Sequence, residues 1–345
     1  MVSYGPASAL APLLASAALQ SAPVEVRIWH NGPGPLEEVA ALPEARAVSA
    51  VVLGGAGNLG FGAGINRLLR AATEAGGPEV AVVANPDLVL APDCVERLCE
   101  ALSHEQVVVA GGALSSGGGA SVNAFRLQLT WDLVGINADR GLPMGSLGPD
   151  TGHIPEAGRP DMADYLGPSG ALFAVHRGRY AAQVGGPLFC EPLFLYLEDV
   201  ALWIRLRRHR AGIAFVPQAR AEHAFSQSTG QRSALKLYYV ERNRLWLTRA
   251  LWGTAQAAAL LPFTGLRYAS YLLGGVGAPR PAGGVRAASK DASAPALVKA
   301  FREALRDGLL APLPEALRDY LAAGEPRSLR PYRARLAAQL KNPVG

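Results

Sequence analysis

Residues 47–87 read AVSAVVLGGAGNLGFGAGINRLLRAATEAGGPEVAVVANPD and contain a strand pattern, a helix pattern and a second strand pattern, in that order. Residues 47–55 and 79–87 are apolar and rich in valine, as buried strands are. The segment between them has one apolar helical face, formed by Ile65, Leu68, Leu69 and Ala72. An alternation of strands and helices predicts an α/β fold with a mostly parallel sheet that helices cover.

The same alternation continues on both sides of this stretch. Val2–Tyr4 predicts a very short first strand, and residues 24–32 and 107–114 predict further strands. Pro92 opens a helix with apolar residues three and four positions apart. Residues 115–165 are rich in Gly and Pro and have weak periodicity, which predicts a long, partly mobile insertion at the mouth of the sheet.

The second half of the chain returns to regular patterns. Residues 170–177 and 212–223 predict strands, and the stretch FLYLEDVALWIRL at 194–206 predicts a helix between them. From about residue 235 onward the pattern is mainly helical. The predicted architecture is therefore an α/β domain followed by a helical region.

The composition is that of a globular protein with a mild basic excess. Half of the 345 residues are hydrophobic, 18% are charged, and the net charge is +5. This excess suits an anionic ligand or an anionic membrane surface, but no Lys/Arg block typical of nucleic-acid binding is present. The three cysteines have no paired spacing, so we expect neither a disulfide framework nor a zinc site.

Polar side chains follow several of the predicted strands. Asn31, the pair Asn85 and Asp87, and His223 each come directly after a strand, where ligands of open α/β sheets bind. Glu198 and Asp199 follow the apolar run 193–197. Taken singly, each has a structural explanation, because Asn-Pro-Asp is a common turn, a histidine can simply be hydrogen-bonded, and acids favour a helix start.

Six motifs occur in a defined order along the chain. They are HNGPG at 30–34, NLGFGAGIN at 58–66, ANPD at 84–87, the series SGALFAVHR to FLYLED at 169–199, HAFSQS at 223–228 and YYVERNRL at 238–245. This order resembles the inverting nucleotide-sugar glycosyltransferases of the GT-A fold, family 2, and in particular their bacterial rhamnosyltransferase-like branch. The resemblance covers about residues 1–250.

The resemblance implies a GT-A catalytic domain at 1–250, with a nucleotide-sugar half at about 1–115 and an acceptor half at about 116–250. A C-terminal helical extension would occupy 251–345. The implied reaction transfers a sugar, with rhamnose as one candidate, from a nucleotide-diphosphate donor to a glycan or polyprenyl-linked acceptor. Such enzymes serve cell-envelope polysaccharide synthesis, which places this chain in the cytoplasm or at the inner face of the cell membrane.

The resemblance also implies roles for single residues. The catalytic residues would be Asp199 and Glu198. Asp199 would be the base that takes the proton of the acceptor hydroxyl, and Glu198 would be a partner of that hydroxyl or of the helix end. Asp87 and His223 would hold Mn²⁺ or Mg²⁺, which neutralises the leaving diphosphate. The helix start would keep Asp199 ionised. The residues expected to bind the donor are Asn31, Asn58, Gly60, Gly64, Asn66, Asn85, Asp87, Arg242 and Arg244.

Three positions depart from the family pattern. His30 replaces the usual Asp beside the nucleoside, which leaves the base preference open. Ala201 replaces the second Asp of Glu-Asp-x-Asp, and Cys190 stands near the Asp of Phe-Asp-Glu. These two changes leave the acceptor side open.

Other functions fit these residues less well. A sugar-nucleotide binding protein without turnover would not need the intact set of Asp87, Asp199 and His223. A nucleotidyltransferase would have a basic Gly-rich loop after the first strand, but SYGPAS at 3–8 has no Lys or Arg. A dinucleotide-binding oxidoreductase would share only the glycines of GAGNLGFGAG, and scattered glycines are a weak signal.

Two segments raise the question of a membrane. Residues 9–23 resemble the core of a signal peptide, but residues 1–8 contain no Lys or Arg, so we predict a strand and a helix there. From Arg242 to Lys290 there are seven basic residues, five aromatic residues and no Asp or Glu. This composition favours either an interfacial membrane helix or a helical subdomain packed on the sheet. The longest uncharged run, Ala250–Leu266, has 17 residues, fewer than a spanning helix needs.

Overall fold

The computed structural model describes residues 1–55, 57–116, 118–147, 165–223, 233–272, 293–327 and 329–332. The strands are β1 (Val2–Ser3), β2 (Arg27–His30), β3 (Val51–Gly54), β4 (Val80–Ala84), β5 (Leu88–Leu90), β6 (Val107–Ser116), β7 (Ser121–Ala124), β8 (Arg126–Leu129), β9 (Gly135–Asn137), β10 (Gly167–Pro168), β11 (Leu172–His176) and β12 (Gly212–His223). The helices are α1 (Ala11–Ala18), α2 (Leu36–Ala40), α3 (Pro43–Ala47), α4 (Phe61–Glu74), α5 (Cys94–Ser103), α6 (Arg177–Gln183), α7 (Glu198–Arg208), α8 (Ala234–Trp252), α9 (Thr254–Ala259), α10 (Leu261–Leu272), α11 (Ala294–Leu305) and α12 (Glu315–Ala322).

The first strands form the parallel layer that the alternation predicts. β1, β2 and β3 pair side by side in chain order, all parallel. Apolar side chains of α1 and α2 cover one face of this sheet, with Leu14, Ile28 and Val39 fully buried. The predicted short first strand, α4 and α5 are all confirmed.

The central sheet is mixed, so the prediction of a mostly parallel sheet is wrong for this part of the α/β fold. Its strands lie in the order β4-β11-β6-β12-β5, and β7 pairs with β6. β4, β6 and β12 run in one direction, whereas β11 lies antiparallel between β4 and β6, and β5 is antiparallel to β12. The strand–helix alternation of the first half cannot reveal this, because β11 enters from the second half of the chain.

The described part of the Gly/Pro-rich region, for which the sequence predicts an insertion at the mouth of the sheet, forms short strands that contribute to the core. Within 118–147 the chain forms β7, β8 and β9, and β8 pairs with both β9 and β10. Alternate residues of these strands are buried, including Val122, Leu127 and Ile136. Strands of three or four residues are too short for this alternation to be visible in the sequence. Residues 148–164 lie outside the described residues.

The C-terminal helices pack on the α/β core. α8 spans the predicted domain boundary at residue 250, since it ends at Trp252, and it contacts α11. α12 packs against α7, and the Tyr320 hydroxyl donates a hydrogen bond to the Leu188 carbonyl at 2.6 Å. Leu317, Tyr320 and Tyr332 belong to the main apolar core. The predicted helical character of this region is confirmed over the described residues.

Candidate active site

Asp87 and His223 meet at the edge of the central sheet. Asp87 lies on the turn between β4 and β5, and His223 ends β12, where it pairs in register with Leu88. His223 Nε2 lies 3.1 Å from Asp87 Oδ2, and His223 Nδ1 lies 3.0 Å from Asn123 Oδ1 on β7. The structure therefore brings the two predicted metal ligands together and adds Asn123, which the sequence analysis missed.

The chemistry of this pair fits a divalent cation. When Nδ1 donates its proton to the amide oxygen of Asn123, the lone pair on Nε2 faces the carboxylate of Asp87. A proton or a metal ion between these two acceptors removes their repulsion. Asp87 Oδ1 is buried and has no hydrogen-bond partner among the described residues, so it too has an unused lone pair.

Two protein ligands are a small number for a metal site. Within the described ranges, no group of three or more His, Cys, Asp and Glu side chains could hold a metal ion. Mg²⁺ usually keeps several waters and binds through one or two carboxylates together with substrate phosphates. The residues therefore fit a cation that arrives with a diphosphate better than a closed structural site.

Asp199 lies in the first turn of α7, beside the start of β11. The space is available because residue 170 is glycine, whose ideal Cβ would lie 2.5 Å from Asp199 Cβ. The Val200 backbone N–H donates to Asp199 Oδ1 at 2.7 Å, and the backbone of Gly170 also bonds to this carboxylate. Both Glu198 and Asp199 are only partly exposed.

Burial is the larger electrostatic effect at these acids. It raises the pKa of Asp199, although the backbone N–H groups of Val200 and Gly170 act in the opposite direction. Burial, followed by the charge of Asp199, raises the pKa of Glu198. The hydrogen bonds at the helix start, which favour the ionised form of Asp199, are the smaller effect. A carboxylate with a raised pKa is a stronger base once it is ionised.

The Asp87–His223 pair and the two acids Glu198 and Asp199 share one edge of the sheet. β4 and β11 are antiparallel, so the end of β4 lies beside the start of β11. The Asn85 backbone N–H donates to the Ala171 carbonyl at 2.9 Å, while the neighbouring Gly170 contacts Asp199. Residues 169–171 thus connect the turn that carries Asp87 to the helix start that carries Asp199.

The glycine-rich motif at 58–66 packs closely against two other parts of the chain. An ideal Cβ at Gly60 would lie 2.4 Å from the Phe194 carbonyl oxygen, and one at Gly64 would lie 2.7 Å from Val2 Cγ2. Asn66 Nδ2 donates to the Phe189 carbonyl at 2.9 Å, and the Phe189 backbone N–H donates to Asn66 Oδ1 at 3.0 Å. The motif therefore ties the first half of the chain to the segment before α7.

Asn31 contacts the same glycine-rich motif. Its side chain is 4% exposed, donates to the Gly60 carbonyl at 2.9 Å and accepts from Trp29 Nε1 at 2.9 Å. Asn58 is exposed, and its Oδ1 accepts from the Gly60 backbone N–H at 2.9 Å. Of the donor residues predicted in this motif, Asn58 is the one whose side chain reaches solvent.

The sequence model of the family described as "Glycosyltransferase like family 2" matches residues 36–246. The chain belongs to this glycosyltransferase family. Similar proteins include the N-acetylglucosaminyl-diphospho-decaprenol L-rhamnosyltransferase of two Mycobacterium tuberculosis strains, which is 32% identical over 247 residues, 68% of this chain and 78% of the relative. The predicted family, the enzyme class and the GT-A type of α/β fold are thereby confirmed.

Two solved glycosyltransferase structures resemble this chain with low identity. A fragment of S. aureus TarS covers 99% of this chain and 88% of its own length, with 13% identity and a TM-score of 0.47. GalNAc-T7 with UDP, GalNAc and Mn²⁺ covers 72% of this chain, with 14% identity and a TM-score of 0.47. This chain spans 43% of the GalNAc-T7 structure. Family membership rests on the sequence relatives.

The residues before the acids of this glycosyltransferase have an unusual backbone. Phe194, Tyr196 and Leu197 have φ values of 65°, 64° and 63°. Phe194, with a ψ of −58°, is the centre of a γ-turn in which the Leu195 N–H donates to the Leu193 carbonyl at 2.7 Å. For a residue other than glycine, each such conformation costs roughly 1–3 kcal/mol of stability. Contacts from elsewhere must hold this segment in place.

Arg242 and Arg244, which were expected to bind the donor, are both buried on α8. Arg242 Nη2 donates to the Leu193 carbonyl at 3.0 Å, and its guanidinium lies 4.2 Å from the centre of the Trp246 ring. Arg244 pairs with Glu241 at 2.9 Å and lies 3.9 Å from Asp132. Arg242 therefore holds the segment before α7. Because Arg244 lies between two buried acids, we do not assign it to the donor site.

The three departures from the family pattern are all buried. His30 Nδ1 lies 2.9 Å from the Ser3 hydroxyl. Burial raises the pKa of the Cys190 thiol to about 12, so the thiol stays neutral. Ala201 packs in the main core. The rest of the HAFSQS motif, residues 224–228, lies outside the described residues.

Proposed function

We propose that this glycosyltransferase moves a sugar from a nucleotide-diphosphate donor to a lipid-linked acceptor with inversion, by a single displacement. The observation that carries the proposal is the junction at residues 169–171, which places the Asp87–His223 pair and Asp199 at one edge of the sheet. A site for a leaving diphosphate and a base for an incoming hydroxyl are the two parts that this reaction needs.

In the proposed reaction, the acceptor oxygen forms a bond to the anomeric carbon as the bond from that carbon to the diphosphate breaks. The acceptor proton goes to the Asp199 carboxylate, and the nucleoside diphosphate leaves. Asp87 and His223 would hold Mn²⁺ or Mg²⁺, which supplies positive charge to the leaving diphosphate. Asn123 fixes the imidazole of His223, and Asn58 and Asn85 remain our candidates for contact with the nucleotide.

The sugar and the acceptor follow from the named relative. That relative is an L-rhamnosyltransferase that acts on N-acetylglucosaminyl-diphospho-decaprenol. We therefore propose rhamnose as the donor sugar and a polyprenyl-diphosphate-linked glycan as the acceptor, in the assembly of a cell-envelope polysaccharide. Inversion follows from the use of a single base, since a retaining double displacement would need a nucleophile as well.

A donor screen tests this proposal. We expect one rhamnose nucleotide among UDP-, dTDP- and GDP-sugars to raise the melting temperature in the presence of Mn²⁺, because a ligand at a hundred times its Kd stabilises the folded state by about 2.7 kcal/mol. The same donor should be transferred to a polyprenyl-diphosphate-linked N-acetylglucosamine. A donor that binds but is neither transferred nor hydrolysed would make the chain a binding protein.

An exposed apolar surface lies near the acceptor side. This surface, the aromatic ridge, consists of Trp131, Phe263 and Leu266, of which Leu266 is 70% exposed. The Trp131 and Phe263 rings are 4.8 Å apart. Trp131 lies on the β8–β9 hairpin, and Gly135 of that hairpin contacts Val200, the neighbour of Asp199.

The predicted membrane-binding residues divide into two groups. Trp246 is buried, and the half-buried Tyr268 stacks its ring on Phe301 at 4.1 Å, so both rings pack against other parts of the protein. Trp252 and Phe263 are exposed and suit a lipid interface. Residues 273–292 lie outside the described residues. In the described ranges, every helix is too short or too polar to cross a bilayer. We propose that the ridge rests on the inner face of the cell membrane.

We expect the protein to sediment with phosphatidylglycerol vesicles at low salt and to bind less as salt rises, because exposed charges are screened within about 8 Å at physiological ionic strength. The double variant Phe263→Ser, Leu266→Ser should bind at least about tenfold more weakly, since each apolar side chain contributes roughly 1.5–3 kcal/mol when buried. Leu310→Ser is the matched control, because Leu310 is 79% exposed but lies outside the ridge. Equal binding of both variants would remove the ridge from the proposal.

A further inference from the structure

The segment 192–197, which we name the acid-leading loop, ends where the acids of α7 begin. Its strained residues, Phe194, Tyr196 and Leu197, precede Glu198 without a spacer, and Leu197 is the N-cap of α7. The direction of the first turn of α7, and with it the position of Asp199, therefore depends on this backbone. A backbone with three left-handed residues needs outside contacts to stay in one conformation.

Those contacts converge on one side chain. Asn243 is fully buried on α8, and its Nδ2 lies 2.9 Å from the Leu193 carbonyl, 2.9 Å from the Leu195 carbonyl and 2.7 Å from the Tyr196 carbonyl. One amide group thus donates its two protons among three carbonyls of the acid-leading loop. Buried donors and acceptors of this kind are costly to leave unpaired, so they define a single geometry.

Arg242 sets the orientation of this amide. Arg242 Nε and Nη2 donate to Asn243 Oδ1 at 2.9 and 2.7 Å, which turns the NH₂ group toward the loop. The guanidinium is in turn held between the loop and the Trp246 ring. The Phe194 ring stacks on Tyr239 of the same helix at 5.1 Å. The contacts from α8 to the loop form one connected network.

We infer that Asn243 is a positioning residue for sugar transfer, which holds the acid-leading loop so that Asp199 reaches the acceptor hydroxyl. This inference rests on the proposed function, in which Asp199 is the base. The main body of α7 is fixed independently, because Leu202, Trp203 and Ile204 are fully buried in the core. Loss of the Asn243 amide should therefore release the loop and the first turn of α7 without unfolding the domain.

The first test needs no substrate. Asn243→Ala should accelerate hydrogen exchange in a peptide that covers residues 190–200, while peptides from β6 exchange as in the wild type. Leu245→Ala is the matched control, because Leu245 is fully buried on α8 but contacts Gly308 instead of the loop. Unchanged exchange at 190–200 in Asn243→Ala would overturn the inference. If Asn243→Ala does not fold, Arg242→Lys takes its place, because a lysine ammonium cannot reproduce the paired Nε and Nη2 donors to Asn243 Oδ1.

The second test separates positioning from general stability. Asn243→Ala should lower kcat for transfer by about ten- to a hundredfold, since a displacement of about 1 Å can cost a hundredfold, whereas the Kd of the donor nucleoside diphosphate with Mn²⁺ should not change. In an Asp199→Asn background, the same substitution should add little further loss, because residues that act as one unit are not additive.

The outcomes identify which idea fails. A full further loss in the Asp199→Asn background, or a loss of kcat in Leu245→Ala as large as that in Asn243→Ala, would mean that Asn243 only stabilises the fold. A weaker Kd of the nucleoside diphosphate in Arg242→Lys would move Arg242 to the donor site and overturn the network. Transfer that survives Asp199→Asn would instead contradict the proposed function itself, which the exchange experiment does not address.

Discussion

Replacement of Asp199 by Asn is expected to lower the rate of sugar transfer by about a hundred- to ten-thousandfold, the usual contribution of a general base. The amide has the shape of the carboxylate and fits the space that Gly170 leaves, so the fold should persist. It cannot accept the acceptor proton at neutral pH. Donor binding at Asp87 and His223 should stay within about a factor of three, because in the proposed reaction Asp199 contacts the acceptor and not the donor diphosphate.

The neighbouring acid provides the matched control. Glu198→Gln makes the same acid-to-amide change at the same helix start, and Glu198 Oε2 has no hydrogen-bond partner among the described residues. If Asp199 is the base, Glu198→Gln should keep far more activity than Asp199→Asn. An Asp199→Asn protein that keeps more than about a tenth of the wild-type rate would assign the proton transfer to another group.

The pH profile gives a second measurement on the same residue. Burial raises the pKa of Asp199, and the base must be ionised to work. Transfer should therefore fall as the pH drops through this raised pKa, at a higher pH than the ordinary value of about 3.9 for Asp. Because Glu198 and Asp199 interact, the acidic limb reports the pair, and Glu198→Gln should change its shape.

Helices and strand ends were the features that the sequence could predict. The apolar periodicity of α4 and α7 follows from each helix burying one face, which is a local property. The convergence of Asp87 and His223 follows from the positions of strand ends, together with the motif order. The position of β11 between β4 and β6 is a long-range pairing, and no periodicity of a single strand records which neighbour it will have.

Glycines and arginines in a sequence motif can serve either a ligand or the packing of the protein. A glycine is needed wherever a backbone approaches closely, so Gly60 and Gly64 serve packing against Phe194 and Val2 as well as they would serve a ligand. An arginine in a helix can face solvent, a phosphate or buried carbonyls, and Arg242 faces carbonyls. The sequence does not distinguish these uses, because each depends on a distant partner.

Asn243 and Asn123 are site candidates that no local sequence signal marks. Asn243 lies inside the YYVERNRL motif, but only its hydrogen bonds to the segment before α7, some 50 residues away in sequence, give it a role. Asn123 lies on a strand of four residues whose alternation is too short to identify, and its partner His223 is 100 residues away. Only the pairing of β7 with β6 and of β6 with β12 brings these two side chains together.

Removal of divalent cations is expected to abolish transfer, and Mn²⁺ or Mg²⁺ should restore it, because the leaving diphosphate would otherwise carry its charge unneutralised. Asp87→Asn should lower the Mn²⁺-dependent rate, because it removes the carboxylate charge that would face the cation. Asp87 Oδ1 has no hydrogen-bond partner among the described residues, so the variant removes charge without breaking a bond of the protein at that atom. Asp93→Asn is the control, as Asp93 is an exposed acid paired with Arg97.

Substitution of Asn123 should weaken the binding of Mn²⁺ without abolishing transfer. If Asn123 Oδ1 fixes the imidazole of His223, then Asn123→Ala should raise the Mn²⁺ concentration for half-maximal transfer by about ten- to a hundredfold, the cost of losing a partner that orients a ligand. At saturating Mn²⁺ the rate should return to nearly the wild-type value, because Asn123 itself would not touch the metal. Full activity after exhaustive chelation would remove the cation from the mechanism. A loss in Asn123→Ala that Mn²⁺ does not rescue would show that His223 is held for packing and not for coordination.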